Sequence, residues 1–293
     1  MRTLIALALT ITTAGTAFAH GAEAHPASYG WTFDPWVVVP LCTLAAMFAI
    51  GACRLLWRVS PGRAKPLLRI VCYFAGLLAL TVALVSPIHW LGEHLFTFHM
   101  VEHEIVMAIA APLLVLSRPA AMCVWSLPRF ARRWTAQAFN ASPVRGLWSR
   151  FTGGVTATVV HAVAIWTWHV PMLLDVSVTN IAMHRLQHLS FFITALIFWW
   201  AVIWRSERGA AAWHLFVTMM HTSVLGALIA LSPRVLYVAQ TASAPEWGLT
   251  PLEDQQMAGM LMWIPAGTVY AGAAIFLLSM WIRDSGRGGA KLV

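Results

Sequence analysis

His94-Leu-Phe-Thr-Phe-His99-Met-Val-Glu-His103-Glu-Ile-Val-Met107 leads without a break into the apolar run Ala108 to Leu116. The stretch reads as a membrane helix whose mouth carries three histidines, two carboxylates and two methionines. An ionisable side chain at that depth costs a few kcal/mol unless it has a partner. On a helix His99, His103 and Met107 recur every four residues and share one face, about 6 Å apart, a spacing from which two imidazoles can hold one metal ion. The rest of the chain is a test of both ideas, the membrane helix and the metal.

Of the 293 residues, 59% are hydrophobic and 10% charged, against about 25% charged in an ordinary soluble domain. With a mean hydropathy of +0.71, this is the composition of an all-α, polytopic membrane helix bundle. The pI near 10 would suggest nucleic acid as the partner of a soluble chain. In a membrane chain surplus Lys and Arg report topology instead, and no nucleic-acid partner is expected. The sixteen tryptophans suit aromatic belts at the two interfaces with the lipid bilayer.

Residues 1–19 combine Arg2, an apolar run and Ala17-Phe18-Ala19 before His20, which is the pattern of a cleaved signal peptide, with an uncleaved anchor as the alternative. Residues 20–35 form a short polar segment outside the cytoplasm. Seven apolar stretches long enough to span follow, near 36–57, 69–88, 97–117, 154–173, 184–204, 213–232 and 257–282, with 283–293 as a tail. Starting with the N-terminus outside, this topology puts sixteen of the nineteen basic residues and the C-terminus on the cytoplasmic side. In the longest cytoplasmic loop, 118–153, Phe130 to Phe139 has the pattern of a short basic amphipathic helix on the membrane surface, or of an ordinary arginine-rich loop.

Acids and histidines did not enter that count, and they segregate the other way. Nine of the eleven carboxylates fall on the outer side, and of the twelve histidines only His214 lies at the cytoplasmic end. His161 and His221 lie about 10–12 Å in from the inner ends of their spans, near the midplane. An outer face rich in imidazole and carboxylate, narrowing to two deep histidines, is a funnel for a cation. His184-Arg-Leu-Gln-His188 repeats the four-residue spacing of His99 and His103 on another span. Metal ligation competes there with an interhelical hydrogen-bond network. Imidazole near methionine, as in Met219-Met220-His221, suits copper.

The four cysteines, Cys42, Cys53, Cys72 and Cys123, form no Cys-x-x-Cys, and neither a structural disulfide nor a thiolate site is expected. The chain contains no phosphate-binding Gly-rich loop, no Gly-x-Ser-x-Gly and no His-Glu-x-x-His. Nucleotide-driven pumping and zincin-type proteolysis are therefore unsupported.

Five motifs in order, His99-Met-Val-Glu-His103 leading to Ala111-Pro112, Trp168-His169-Val-Pro171, His184-x3-His188 with Phe198-Trp199-Trp200, His221-Thr-Ser-Val-Leu-Gly226 with Ser232-Pro233-x3-Tyr237, and Asp254-Gln-Gln-Met-Ala-Gly259-x2-Met262-Trp263-x-Pro265, resemble the cytochrome c oxidase assembly factor CtaG family in its seven-helix branch. The resemblance covers about 85–282. It implies a multi-pass protein of the bacterial inner membrane, without enzymatic activity of its own, that helps to mature heme–copper oxidases at the stage of copper delivery. Its partners would be the catalytic subunit and a periplasmic copper donor.

On the residues themselves, His94, His99, His169 and His184 are expected to admit copper and His103 and His188 to hold it. His161 and His221 serve as a deeper station or a brace, and Glu102 and Asp254 tune the imidazoles. Two alternatives stay open at this point. One is a b-type cytochrome with heme between histidines on facing helices. The other is a transporter of copper or another divalent cation, whose ionisable residues would have to continue to the far side.

Overall fold

A computed structural model describes residues 30–56 and 64–289. The signal-peptide reading, most of the 20–35 segment and the last residues of the tail lie outside them. The described residues form helices and no strand: α1 Pro35–Leu56, α2 Ala64–Leu84, α3 Pro87–His94, α4 Phe96–Ser117, α5 Pro119–Ser126, α6 Arg129–Asn140, α7 Ser142–Phe151, α8 Gly154–Trp168, α9 Pro171–Thr179, α10 Ile181–Arg205, α11 Arg208–Ala230 and α12 Pro251–Gly289. Six of them, α1, α2, α4, α10, α11 and α12, are long and apolar enough to cross a membrane. The pair α8 and α9, bent by 73°, makes a seventh if counted as one span.

The expected spans are present, with three differences of local cause. The second span ends at Leu84 rather than residue 88, because Ser86 takes an extended conformation and caps α3, its hydroxyl accepting from Ile88 N at the Pro87 start. The fourth is broken rather than straight, since the residue before a proline is driven out of the helical region and Val170 is extended before Pro171. The last begins at Pro251, where Thr250 and Glu253 form a capping box: Thr250 N donates to Glu253 Oε2 at 2.7 Å and Glu253 N to Thr250 Oγ1 at 3.2 Å.

Small residues set the helix spacing. A Cβ on Gly226 of α11 would sit 2.8 Å from Gly259 O, and one on Gly259 of α12 only 2.5 Å from Ala230 N, so these two helices cross backbone to backbone. Gly51 of α1 meets the Met122 carbonyl of α5 in the same way. Around Phe198, Trp199, Tyr270, Met107 and Ile165 the core of α4, α8, α10, α11 and α12 is fully packed.

α4 is not a uniform helix. Ile105–Ala110 forms a π turn, with Ala111 N bonded back to Val106 O. In that register the Met107 carbonyl would look to residue 112, which is proline and has no N–H. The indole of Trp199 donates to it instead, at 2.9 Å.

The two ends of the bundle differ chemically. At one end Arg54 donates to Trp125 O and Ser126 O, Arg118 lies 3.5 Å over the Trp204 ring, Arg205 donates to Ser149 and Arg208 pairs with Asp284. At the other, α3, the start of α4, the start of α10 and the 231–250 connection converge. That connection is stitched down by Gln240 Nε2 to Gly92 O at 2.9 Å and Tyr237 Oη to His169 O at 2.8 Å.

Candidate metal centre

Three helices bring the histidines together. α4 supplies His99 and His103 one turn apart, with ring centroids 4.3 Å from each other. α10, whose first turn is capped by the Asn180 side chain accepting from Ala182 N and Met183 N, supplies His184 and His188 at 4.5 Å. The two pairs face each other. His103 and His188 are 4.9 Å apart, His99 and His184 5.8 Å, and His99 and His188 6.0 Å.

His99, His103 and His188 are buried, and each offers a nitrogen within 4.8 Å of the other two. Ligands about 2.0 Å from one ion stand roughly 3.3 Å apart, so small rotamer shifts close the triad on a metal. His99 Nε2 and both ring nitrogens of His103 and of His188 lack hydrogen-bond partners among the described residues. A buried polar group left in that state costs about 1–3 kcal/mol. The triad is a costly arrangement for a structural network and a natural one for an ion. Phe191 closes its inner side, 4.7 Å from the His103 ring.

Toward the surface stands His89 of α3, which the sequence places on the outer side without marking it as part of the site. Its Nδ1–H donates to Glu102 Oε1 at 2.5 Å, and its ring lies 5.7 Å from His184 and 6.3 Å from His188. Burial lowers the His89 pKa, the hydrogen bond and charge of Glu102 raise it, and the balance stays above the ordinary histidine value. Glu102 is fully buried, its Oε2 3.9 Å from His99 Nδ1. Gly92 lets α3 pass that carboxylate, since a Cβ there would lie 2.6 Å from Oε2. The signal for His89 is Ser86-Pro87, a cap that starts a short helix and folds it over the mouth.

The remaining candidates divide. His169, which follows α8, donates from Nδ1 to Ile165 O at 2.7 Å, which leaves its buried Nε2 without a hydrogen-bond partner among the described residues, and its ring lies 6.2 Å from that of Phe191, the residue that closes the triad. His94 does not join the cluster. It donates to Trp90 O at 2.7 Å and packs on that indole, because extended Leu95 restarts the helical phase between it and His99. Asp254 faces the start of α4. Among the described residues it makes no hydrogen bond to an imidazole; it accepts from Phe96 N, Thr97 N and Thr97 Oγ1 at 2.8, 2.9 and 2.6 Å, and so caps α4 from α12. Met107 lies within the π turn, whose wider winding breaks the four-residue stack, and packs in the core.

His161 and His221 sit apart from the triad. The Thr194 hydroxyl donates to Ser190 O, so His161 Nδ1–H donates to Thr194 Oγ1 at 3.1 Å, and its ring stacks on Phe198. His221 lines an apolar groove with Trp166, Phe216 and Met220.

The family model for the cytochrome c oxidase caa3 assembly factor (Caa3_CtaG) matches residues 46–284. The chain belongs to this family. The matched segment holds both histidine pairs, His89, Glu102 and Asp254. It is also similar to proteins of three mycobacteria that carry no assigned role. The uncharacterized proteins Mb0105 of Mycobacterium bovis and MT0111 of Mycobacterium tuberculosis are each 23% identical over 275 residues, covering 89% of this chain and 40% of theirs. ML1998 of Mycobacterium leprae is 22% identical over 271 residues, with 88% and 40% covered. The chain thus spans about two fifths of the length of these relatives. No solved structure gives a significant match.

Proposed function

We propose that this caa3 assembly factor binds copper at His99, His103 and His188 and hands it to the catalytic subunit of a heme–copper oxidase. The observation that carries the reading is the triad itself: three buried imidazoles from two helices, with converging nitrogens, five of which have no hydrogen-bond partner among the described residues. Imidazole donors suit copper, and three protein ligands leave a coordination position open for exchange, unlike a closed structural site. His184, His169 and His89 supply alternative imidazoles along the way out, and His89 and Glu102 stand at the mouth.

The segregation of arginine to one end and histidine to the other supports an orientation with the histidine end outside the cytoplasm, where a periplasmic donor would load the site of a bacterial inner-membrane protein. The role is binding and transfer, with no reaction catalysed by the chain.

The test is copper titration and absorption spectroscopy of the detergent-purified, tag-free protein, beside oxidase activity in membranes. About one copper per chain, no Soret band, and loss of that copper and of oxidase activity in His103→Ala/His188→Ala at normal protein level are expected. Unchanged copper stoichiometry in the double variant, or a heme band, overturns the reading.

A further inference from the structure

Between the end of α4 and the start of α8 the chain lays two consecutive helices, α6 and α7, at the arginine end, and no side chain of either is buried. Both are amphipathic. Phe130, Ala131, Trp134 and Ala138 share one face of α6, and Val144, Leu147, Trp148 and Phe151 one face of α7. Most of these faces are exposed: Phe130 is 70% exposed, Trp134 73% and Leu147 59%. Beside them stand the exposed Arg129, Arg133, Arg145 and Arg150.

The helices are nonetheless fixed to the bundle. Arg132 of α6 donates to Trp125 O and Leu127 O and lies 4.2 Å over the Trp125 ring. Trp148 of α7 packs edge-on against Trp200 of α10, and Arg205 donates to Ser149. They join two spans at their ends, so their plane is the edge of the hydrocarbon layer.

No Asp or Glu occurs between Glu104 and Asp175. At this end of the bundle Asp284 is already paired with Arg208, and Glu207, which precedes α11, is a single carboxylate against four guanidinium groups. The charge that balances Arg129, Arg133, Arg145 and Arg150 therefore comes from outside the segment. We infer that α6 and α7 form a docking surface for the acidic phospholipid of the adjacent leaflet, with the aromatic faces sunk among the acyl chains and the four arginines on the phosphates. A neutral apolar partner would leave the arginines uncompensated, and a free anion would leave Phe130 and Trp134 in water.

Native mass spectrometry of the detergent-purified full chain, titrated separately with phosphatidylglycerol and with phosphatidylcholine of the same acyl chains, tests this. Each basic residue near such a surface strengthens binding by about fivefold. Phosphatidylglycerol is expected to bind at least about tenfold more tightly than phosphatidylcholine, and Arg129→Gln/Arg133→Gln/Arg145→Gln/Arg150→Gln to abolish the difference. Phe130→Ser/Trp134→Ser should weaken both lipids alike. All six positions are exposed, and circular dichroism is the check that the variants keep their helix content. Equal affinity for the two lipids in the unaltered protein, or a preference that survives in the four-arginine variant, overturns the inference. So does a four-arginine variant that binds both lipids as the unaltered protein does but no longer supports oxidase activity in membranes, which would mark the face as a protein interface.

Discussion

Asp254→Ala separates the role that the structure gives this residue from a role on the imidazoles. The first N–H groups of any helix lack intrahelical acceptors, and those of α4 are buried where no water can serve them. Asp254, fully buried itself, accepts from Phe96 N, Thr97 N and Thr97 Oγ1 at 2.6–2.9 Å. Each hydrogen bond to a charged group contributes about 1.5–3 kcal/mol, and the losses within one cap are not additive, so removal should cost about 3–5 kcal/mol. Asp254→Asn keeps one acceptor oxygen and should cost about half of that. His99 lies in the first turn of α4, so fraying there also loosens the triad and should weaken copper binding by about tenfold. The assays are the unfolding midpoint in mixed micelles and cuprous-ion competition with a chromophoric chelator, both for Ala and for Asn. An alanine variant that unfolds like the unaltered protein while losing copper affinity would refute the capping argument and return Asp254 to the metal site.

His188→Ala alone should reduce copper affinity about a hundredfold by removing the one triad ligand from α10, whereas His94→Ala should leave it within twofold of the starting value; equilibrium competition reads both. His89 has a pKa raised by Glu102, so its contribution to stability is complete below about pH 6.5 and is lost as the pH rises through the raised folded value. The fall in unfolding midpoint above that pH should therefore shrink in His89→Gln. Trp199→Phe strands the Met107 carbonyl and should cost about 1 kcal/mol, seen in the same unfolding assay. Gly259→Val drives a side chain into the Ala230 backbone and should cost about 1–3 kcal/mol or more, with loss of the folded protein from membranes as the readout.

Hydropathy is enough to find the spans because a chain in hydrocarbon has no other place for about twenty apolar residues in a row. The histidine pairs are legible for a similar reason: a four-residue spacing on a helix is a distance. Reading fails where the helical phase is reset. Leu95 turns His94 away from His99, and the π turn at Ile105–Ala110 takes Met107 off the stripe that the regular period assigns it. It fails again where the partner is remote in sequence. Asp254 meets Phe96 and Thr97 across more than 150 residues, and nothing near it in the chain distinguishes a cap for another helix from a carboxylate beside an imidazole. His89 belongs to both cases, since its helix is too short to show a period and its partner Glu102 lies on the next one.

The unlike ends of the bundle also bear on direction. A cation in the triad has carboxylates and imidazoles on one side of it and, across the span, Arg54, Arg118, Arg132, Arg205 and Arg208 on the other. Displacement toward the arginines moves it up an electrostatic gradient within a medium of low dielectric constant, where screening by salt is weak. The easier path is back by the mouth. In the proposed role the molecule would be a cul-de-sac for positive ions: a cation taken in from one face would be returned to the same face, and the membrane potential would be left undisturbed by the exchange.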